Sequence, residues 1–415
     1  MAYVQDLGNG KYKVTISLGF DATGKRQKAF KVIKAKDMEK ARAKAAVIEH
    51  KYKKGEYRRP TKLTFDEIFN RYLSSHQGEK QLSIKTEARY RQMYNLRIKD
   101  FFARYKPEKI TALVIDDFFT ELRQAERLDG KEGGLSEQSI KHHWRLLFSV
   151  FNWAYIKDII PKNPMVKAER VYVEAKEPEV YSKAQAEKLF NALESAPLKY
   201  KAITYLALDS GVRSGELAGL TEDCVDFEKN LIHINKSVQY ISEIGKSISE
   251  EEVLEKYPNT PEDLLKRRIV VTPPKTKKSN RTIAISPFVM GLLAEYMHEQ
   301  KVIRMKLADR WKKTPWVFTD SFGDILNPNM PSKWLNQFLK ENELPKLRFH
   351  GLRHSCASLL IAMGQDVAAV SKRLGHSDVN TTLRVYVHSS DERDRKSAEK
   401  MNSIFEGRER EVQAN

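Results

Sequence analysis

Strict alternation of apolar and polar positions opens the chain. In KYKVTISLGF, residues 11–20, Tyr12, Val14, Ile16, Leu18 and Phe20 alternate with polar or small residues, the period of a half-buried strand. DATGK, 21–25, supplies a turn, and RQKAFKVI, 26–33, resumes as a second strand. From Asp37 the period lengthens, and Met38, Ala41, Ala45 and Ile48 fall on one helix face. The pattern predicts a small sheet backed by one helix, followed by a linker rich in Lys, Arg and Gly over 51–61.

Residues 62–166 read as helix throughout. Thr64 and Glu67 form a capping box, with Leu63 and Ile68 as its hydrophobic staple. Further helices start at Ser83, Thr111 and Ser136. Their thick aromatic stripe follows the helical period, which predicts core rather than a base-stacking platform. DGKEGG, 129–134, is an exposed loop, and 167–180 forms a second linker. Ser182 and Gln185 open a new helix with another capping box. After it come helices, strand regions at 231–239 and 268–285, and helices to the end. An acidic insertion, 241–266, separates the strands.

A chain of 415 residues predicts two or three domains. No run of about 18 apolar residues appears, and the start lacks the apolar core of a secretory signal, so a cytoplasmic protein without a membrane partner is expected. Cys224 and Cys356, too few for a disulfide framework or a cysteine-rich zinc site, read as buried thiols. The formal charge of +18 changes the picture, because such a surplus on a folded protein faces a polyanion. Residues 1–60 carry 16 Lys plus Arg against 6 Asp plus Glu, net +10, so more than half of the excess sits in a patterned N-terminal unit.

The candidate chemistry centres on FHGLRHSCASLL, 349–360. His350 and His354 stand four apart, as zinc ligands on one helix face do, but Gly351 occupies the position of the Glu base and Arg353 brings a permanent positive charge. A phosphodiester in flight fits better, since its transition state concentrates negative charge that guanidinium and imidazole donors stabilise. His350 and Arg353, three apart, share a face, which leaves His354 a structural role. Arg213 in LDSGVRSGELAGL adds a second guanidinium, with Glu216 bracing its loop. Lys275 in PPKTKKSNRTIAI, in competition with Lys277 and Lys278, is placed to protonate a leaving oxygen. His376 and Tyr386 in RLGHSDVNTTLRVYVH complete the set. Tyr386 is the candidate nucleophile; a phenol of pKa about 10 is only roughly one part in a thousand ionised at neutral pH and needs cations beside it. Taken singly, each residue also fits a structural role; their order and local wording carry the reading.

GVRSGEL, PKTKKS, HGLRH, LGHS and YVH, in that order over about 180–390, resemble the catalytic domain of the tyrosine recombinase family of lambda-integrase type, with wording similar to integrases of temperate phages and integrative conjugative elements. The resemblance implies a multidomain, mainly α chain with small β-sheets: an arm-type DNA-binding domain (1–58), a helical core-binding domain (62–166), a catalytic domain (180–390) and a tail helix (391–415) packing in trans. It implies that Arg213, Lys275, His350, Arg353 and His376 activate the scissile phosphate while Tyr386 attacks it, leaving a 3′-phosphotyrosyl bond. Lys275 would be the general acid, with His350 assisting proton transfer. No metal and no ATP would be needed. The implied partners are double-stranded DNA at core and arm-type sites, three further protomers in a tetramer, an excisionase and a host DNA-bending protein. The acidic insertion departs from the compact hairpin that the family has around its lysine. Three rival readings are a repressor-like DNA-binding protein without catalysis, a Xer-like resolvase of chromosome dimers and a type IB topoisomerase.

Overall fold

The computed structural model describes residues 2–20, 26–53, 62–76, 82–127, 132–174, 179–241, 255–257, 268–274, 279–376, 378–380, 382–383 and 401–402. The turn expected at 21–25, Lys275 with Lys277 and Lys278, Tyr386, and most of the acidic insertion and of the C-terminal tail lie outside these residues. The described chain is mainly helical with small sheets and divides into two compact units, Met1–Glu174 and Ala175–Asn415.

In the first unit β1 (Tyr3–Asp6), β2 (Lys11–Phe20) and β3 (Arg26–Lys34) form an antiparallel sheet in that order. β1 is an addition to the expected hairpin. It is reached through Gly8, Asn9 and Gly10, three successive residues at positive φ. The alternation of β2 is realised: Tyr12, Val14 and Ile16 are buried, and α1 (Met38–Lys53) covers them with Ala41 and Ala45. Tyr3, Phe30 and Val32 remain exposed, with the Lys13 ammonium 4.9 Å from the Phe30 ring centre.

The helices α2 (Phe65–Ser74), α3 (Ile84–Met93), α4 (Lys99–Phe102), α5 (Ala112–Gln124) and α6 (Glu137–Ile156) follow. Thr64 Oγ1 accepts from the Glu67 amide at 3.2 Å while Glu67 accepts from the Thr64 amide at 2.7 Å, the reciprocal cap read from the sequence. Ser83, Thr111 and Ser136 cap α3, α5 and α6. The aromatic stripe is core, with Phe65, Phe69, Tyr94, Phe102, Phe118 and Phe151 among its buried members. Tyr94 stacks on Phe69 at 3.8 Å. It begins a π-helical turn, Tyr94–Ile98, that continues α3.

The second unit contains α7 (Lys183–Leu193), α8 (Leu198–Ser210), α9 (Ser214–Ala218), β4 (Val225–Asp226), β5 (Leu231–Ile234), β6 (Ser237–Ile241), β7 (Glu255–Tyr257), β8 (Arg268–Thr272), β9 (Arg281–Ala284), α10 (Pro287–Leu307), α11 (Met330–Glu341), α12 (Phe349–Ala362) and α13 (Val367–Leu374). Ser182 and Gln185 make the expected box at the start of α7. α8 is buried over most of its surface and packs on α10, α11 and α12, which fixes its C-terminus at the centre of the unit. Each expected strand region divides in two. Residues 231–239 break at Asn235 and Lys236 into β5 and β6, and 268–285 into β8 and β9, giving sheets ordered β4-β5-β9 and β6-β8-β7. β8 and β9 therefore belong to different sheets, and β7, from within the insertion, adds a strand to β8.

Candidate active site

α12 presents Phe349, Leu352, Cys356 and Ile361 to the core, and Arg353 lies on this buried side with 2% of its surface exposed. A guanidinium so deep requires acceptors. Arg353 Nη1 donates to the Gly211 carbonyl at 2.6 Å and Nη2 to the Leu374 carbonyl at 2.7 Å. Burial, then the charge of Arg213, pushes its pKa down to about 9, so it remains a cation at neutral pH. Gly211 precedes Arg213 by two residues and Leu374 precedes His376 by two. One side chain thus ties down the loops that carry Arg213 and His376.

Gly211 ends α8 in the left-handed region at φ 65°, and a Cβ there would stand 2.2 Å from Leu374 Cδ2. The chain then turns into α9 with Arg213 at its N-cap. Arg213 Nη1 donates to Glu216 Oε1 at 2.6 Å, and the Arg213 amide to Oε2 at 3.1 Å. The Arg213 side chain is 39% exposed, leaving donors free to face solvent or an anion. Glu216, buried, also receives Arg281 Nη2 at 3.0 Å. Burial alone would raise its pKa, but the Arg281 and Arg213 guanidiniums hold it below the ordinary carboxylate value. An ionised carboxylate clamped between two arginines is a brace, as the sequence suggested, and a poor proton acceptor.

His376 follows Gly375, the left-handed cap of α13 at φ 69°. Its amide donates to the Ser371 carbonyl at 3.1 Å, and its Nδ1 shares a hydrogen bond with Thr382 Oγ1 at 2.8 Å. His350, in the first turn of α12, meets His354 edge-on, ring centres 4.8 Å apart. Desolvation, and then His354, Arg353 and Arg213, pushes the His350 pKa down to about 4; desolvation, Arg353 and Arg213 do the same to His376. Among the described residues no three His, Cys, Asp or Glu side chains group as a metal would require.

Arg213, His350, Arg353 and His376 are thus gathered from three segments into one electropositive field, in which burial first and the two guanidiniums after it disfavour further positive charge. Such a field suits a polyvalent anion whose charge grows during reaction. Arg281 is the residue that sequence reasoning missed: besides Glu216, it donates from Nε to the Arg373 carbonyl at 2.7 Å and from Nη1 to the Ser279 carbonyl at 3.0 Å. The signal was available. Arg281 shares the inward phase of its strand with the buried Ile283 and Ile285, and an inward arginine implies a buried partner.

The sequence matches the phage integrase family over residues 179–255 and 261–393, and the phage integrase SAM-like domain over 64–171. It is 27% identical to the ICEBs1 integrase of Bacillus subtilis (strain 168) over 407 residues, covering 97% of this chain and 100% of that protein. It is 26% identical to a XerC-like tyrosine recombinase of Caldanaerobacter subterraneus subsp. tengcongensis, over 96% of this chain and 97% of the relative. In fold it is similar to the Tn1549 transposon integrase in complex with a circular intermediate DNA, with a TM-score of 0.61 and 18% identity over 82% of this chain and 99% of that one. It is also similar to a lambda integrase from a tetramer bound to a Holliday junction, with a TM-score of 0.52 and 16% identity over 93% and 94%. With the family match spanning half of its residues, the chain belongs to the phage integrase family of tyrosine recombinases.

Proposed function

We propose that this recombinase is the integrase of a mobile element or prophage, and that it cleaves and rejoins double-stranded DNA through a covalent 3′-phosphotyrosyl intermediate. The observation that carries the reading is the convergence of Arg213, His350, Arg353 and His376 around the two carbonyl bonds of Arg353. In this mechanism the four side chains donate to the non-bridging oxygens of the scissile phosphate, where charge accumulates in the transition state. Tyr386 Oη attacks phosphorus as its proton passes to the His350 imidazole, the bond from phosphorus to the 5′ oxygen breaks, and Lys275 gives that oxygen its proton. A 5′-hydroxyl from a partner duplex then attacks the phosphotyrosine, and the tyrosine is released. The phosphodiester energy is kept in the covalent bond, so neither ATP nor a metal ion takes part.

The DNA complexes of the Tn1549 and lambda integrases support a DNA substrate, and the lambda tetramer supports action by four protomers. The helical bundle and the second unit would clamp the core site through phosphate contacts that weaken with salt. The basic N-terminal sheet would hold arm-type sites, an excisionase and a host DNA-bending protein would set direction, and the tail would pack on a neighbouring protomer. The test is incubation with a nicked suicide duplex of the attachment site in EDTA, followed by a denaturing gel. The wild type forms a covalent adduct and Tyr386→Phe forms none. An adduct surviving that substitution, or one that appears only with added magnesium, overturns the assignment.

A further inference from the structure

A fully buried hydroxyl reaches the candidate site from Thr382, which has 0% of its surface exposed. Its Oγ1 lies 2.8 Å from His376 Nδ1, and its amide donates to the Val379 carbonyl at 2.9 Å. His376 is held from the other side by its own amide, on the Ser371 carbonyl. An imidazole fixed at its backbone and at Nδ1 has one nitrogen left, Nε2, and which tautomer it adopts decides whether that nitrogen donates or accepts.

The groups that face the ring settle what it needs. Arg353, His350 and His354 act on it from α12 and Arg213 from the start of α9, and all of them depress its pKa. Among the described residues no carboxylate is one of the groups that act on the ring, and Glu216 is bound to Arg213 and Arg281. The ring is therefore neutral at pH 7, and a neutral ring with its proton on Nδ1 would turn a lone pair toward an anionic phosphate. A carboxylate at Nδ1, the usual orienting partner, would enforce that wrong form. A hydroxyl does not, because it donates to a bare Nδ1 and accepts from a protonated one.

Resting on the function proposed above, we propose that Thr382 is a positioning residue whose hydroxyl donates to Nδ1 and holds His376 in the Nε2–H form, so that a neutral imidazole still offers the scissile phosphate a donor. The carrier of this hydroxyl is four residues ahead of Tyr386, so one short stretch of chain would both orient His376 and supply the nucleophile.

The experiment uses the full chain with Thr382→Val, which keeps the shape and removes the hydroxyl, and Thr382→Ser, which restores it. With the suicide duplex, Thr382→Val is expected to form adduct roughly ten- to a hundredfold more slowly, the scale on which a histidine loses effect when the partner that orients it is removed. Affinity for the core duplex stays unchanged, and Thr382→Ser recovers to within about threefold of the wild type. Independently, the 15N-histidine spectrum of the Tyr386→Phe protein on core DNA, assigned with His376→Asn, shows a bare Nδ1 and a protonated Nε2. Thr382→Val cleaving at the wild-type rate, or an Nδ1–H signal from His376, overturns the proposal and leaves the recombinase reading intact. If Thr382→Val does not fold, the spectrum decides. A wild-type protein that gives no adduct sinks the function, and this role with it.

Discussion

Substituting Gly211 by Ala strikes both anchors of Arg353 at once. At φ 65° an L side chain costs about 1–2 kcal/mol of backbone energy. The new Cβ falls 2.2 Å from Leu374 Cδ2 and 3.4 Å from Cys356 Sγ. Leu374 is 0% and Cys356 3% exposed, so neither has free volume to move into, and overpacking adds about 1–3 kcal/mol. The expected loss is about 2–5 kcal/mol in the second unit. Because the displaced residues are those whose carbonyls hold Arg353, cleavage should fall even at temperatures where the variant remains folded. The control is Gly291→Ala. That glycine is interior to α10 with open space around its missing Cβ, so alanine there should stabilise by about 0.5–1 kcal/mol. Urea unfolding followed by circular dichroism measures both from the shift in midpoint at constant slope. A Gly211→Ala protein within about 0.5 kcal/mol of wild type refutes the reasoning, since it would mean that the turn relaxes without disturbing Leu374.

Glu216→Gln should cost about 3 kcal/mol, because it leaves the Arg281 guanidinium, 7% exposed, without its anion; unchanged urea stability would show that the Arg373 and Ser279 carbonyls suffice. Acid should destabilise the protein by two routes with the same sign. His350 and His376 have folded pKa values near 4, below the ordinary 6.5, so the unfolded chain binds more protons between these values and stability falls as pH drops from about 6.5 to 4. Glu216, with its pKa lowered, adds stability that is present above its unfolded value and is lost as pH falls through the folded one. Urea midpoints between pH 7 and 4 test this: the wild type should decline, and the His350→Gln/His376→Gln protein should decline less across pH 6.5 to 5. Identical slopes would mean that the two rings are not held neutral by the fold.

What the sequence disclosed well is what local rules govern. The boxes at Thr64 and Ser182 and the caps at Ser83, Thr111 and Ser136 depend on residues three apart, and each was readable in place. His350 and Arg353 share a helix turn, so their joint presentation was equally legible, and Glu216 declared itself as a brace by standing one turn after Arg213. What escaped depends on distant partners. β1 is short and mostly exposed, with pairing to β2 as its warrant. The break at Asn235 and Lys236 is imposed by two sheets, since β5 finds β9 while β6 finds β8. The strand phase of Arg281 points it inward, but the carboxylate it meets there lies 65 residues away and cannot be read from the strand. Thr382 carries no signal of its own in the sequence, and its value lies in the turn that brings it to a histidine six residues earlier.

The two bonds of Arg353 also set when the cationic site can come into being. Its acceptors lie 142 residues earlier and 21 residues later in the chain. During synthesis the basic N-terminal sheet and the helical bundle emerge first and can fold on contacts of their own, while Arg353 stays without its second acceptor until Leu374 has left the ribosome. A nascent or truncated chain would therefore carry basic, folded surfaces well before its cationic site is assembled, and on the function proposed above strand cleavage would be withheld from incomplete protein by chain order alone.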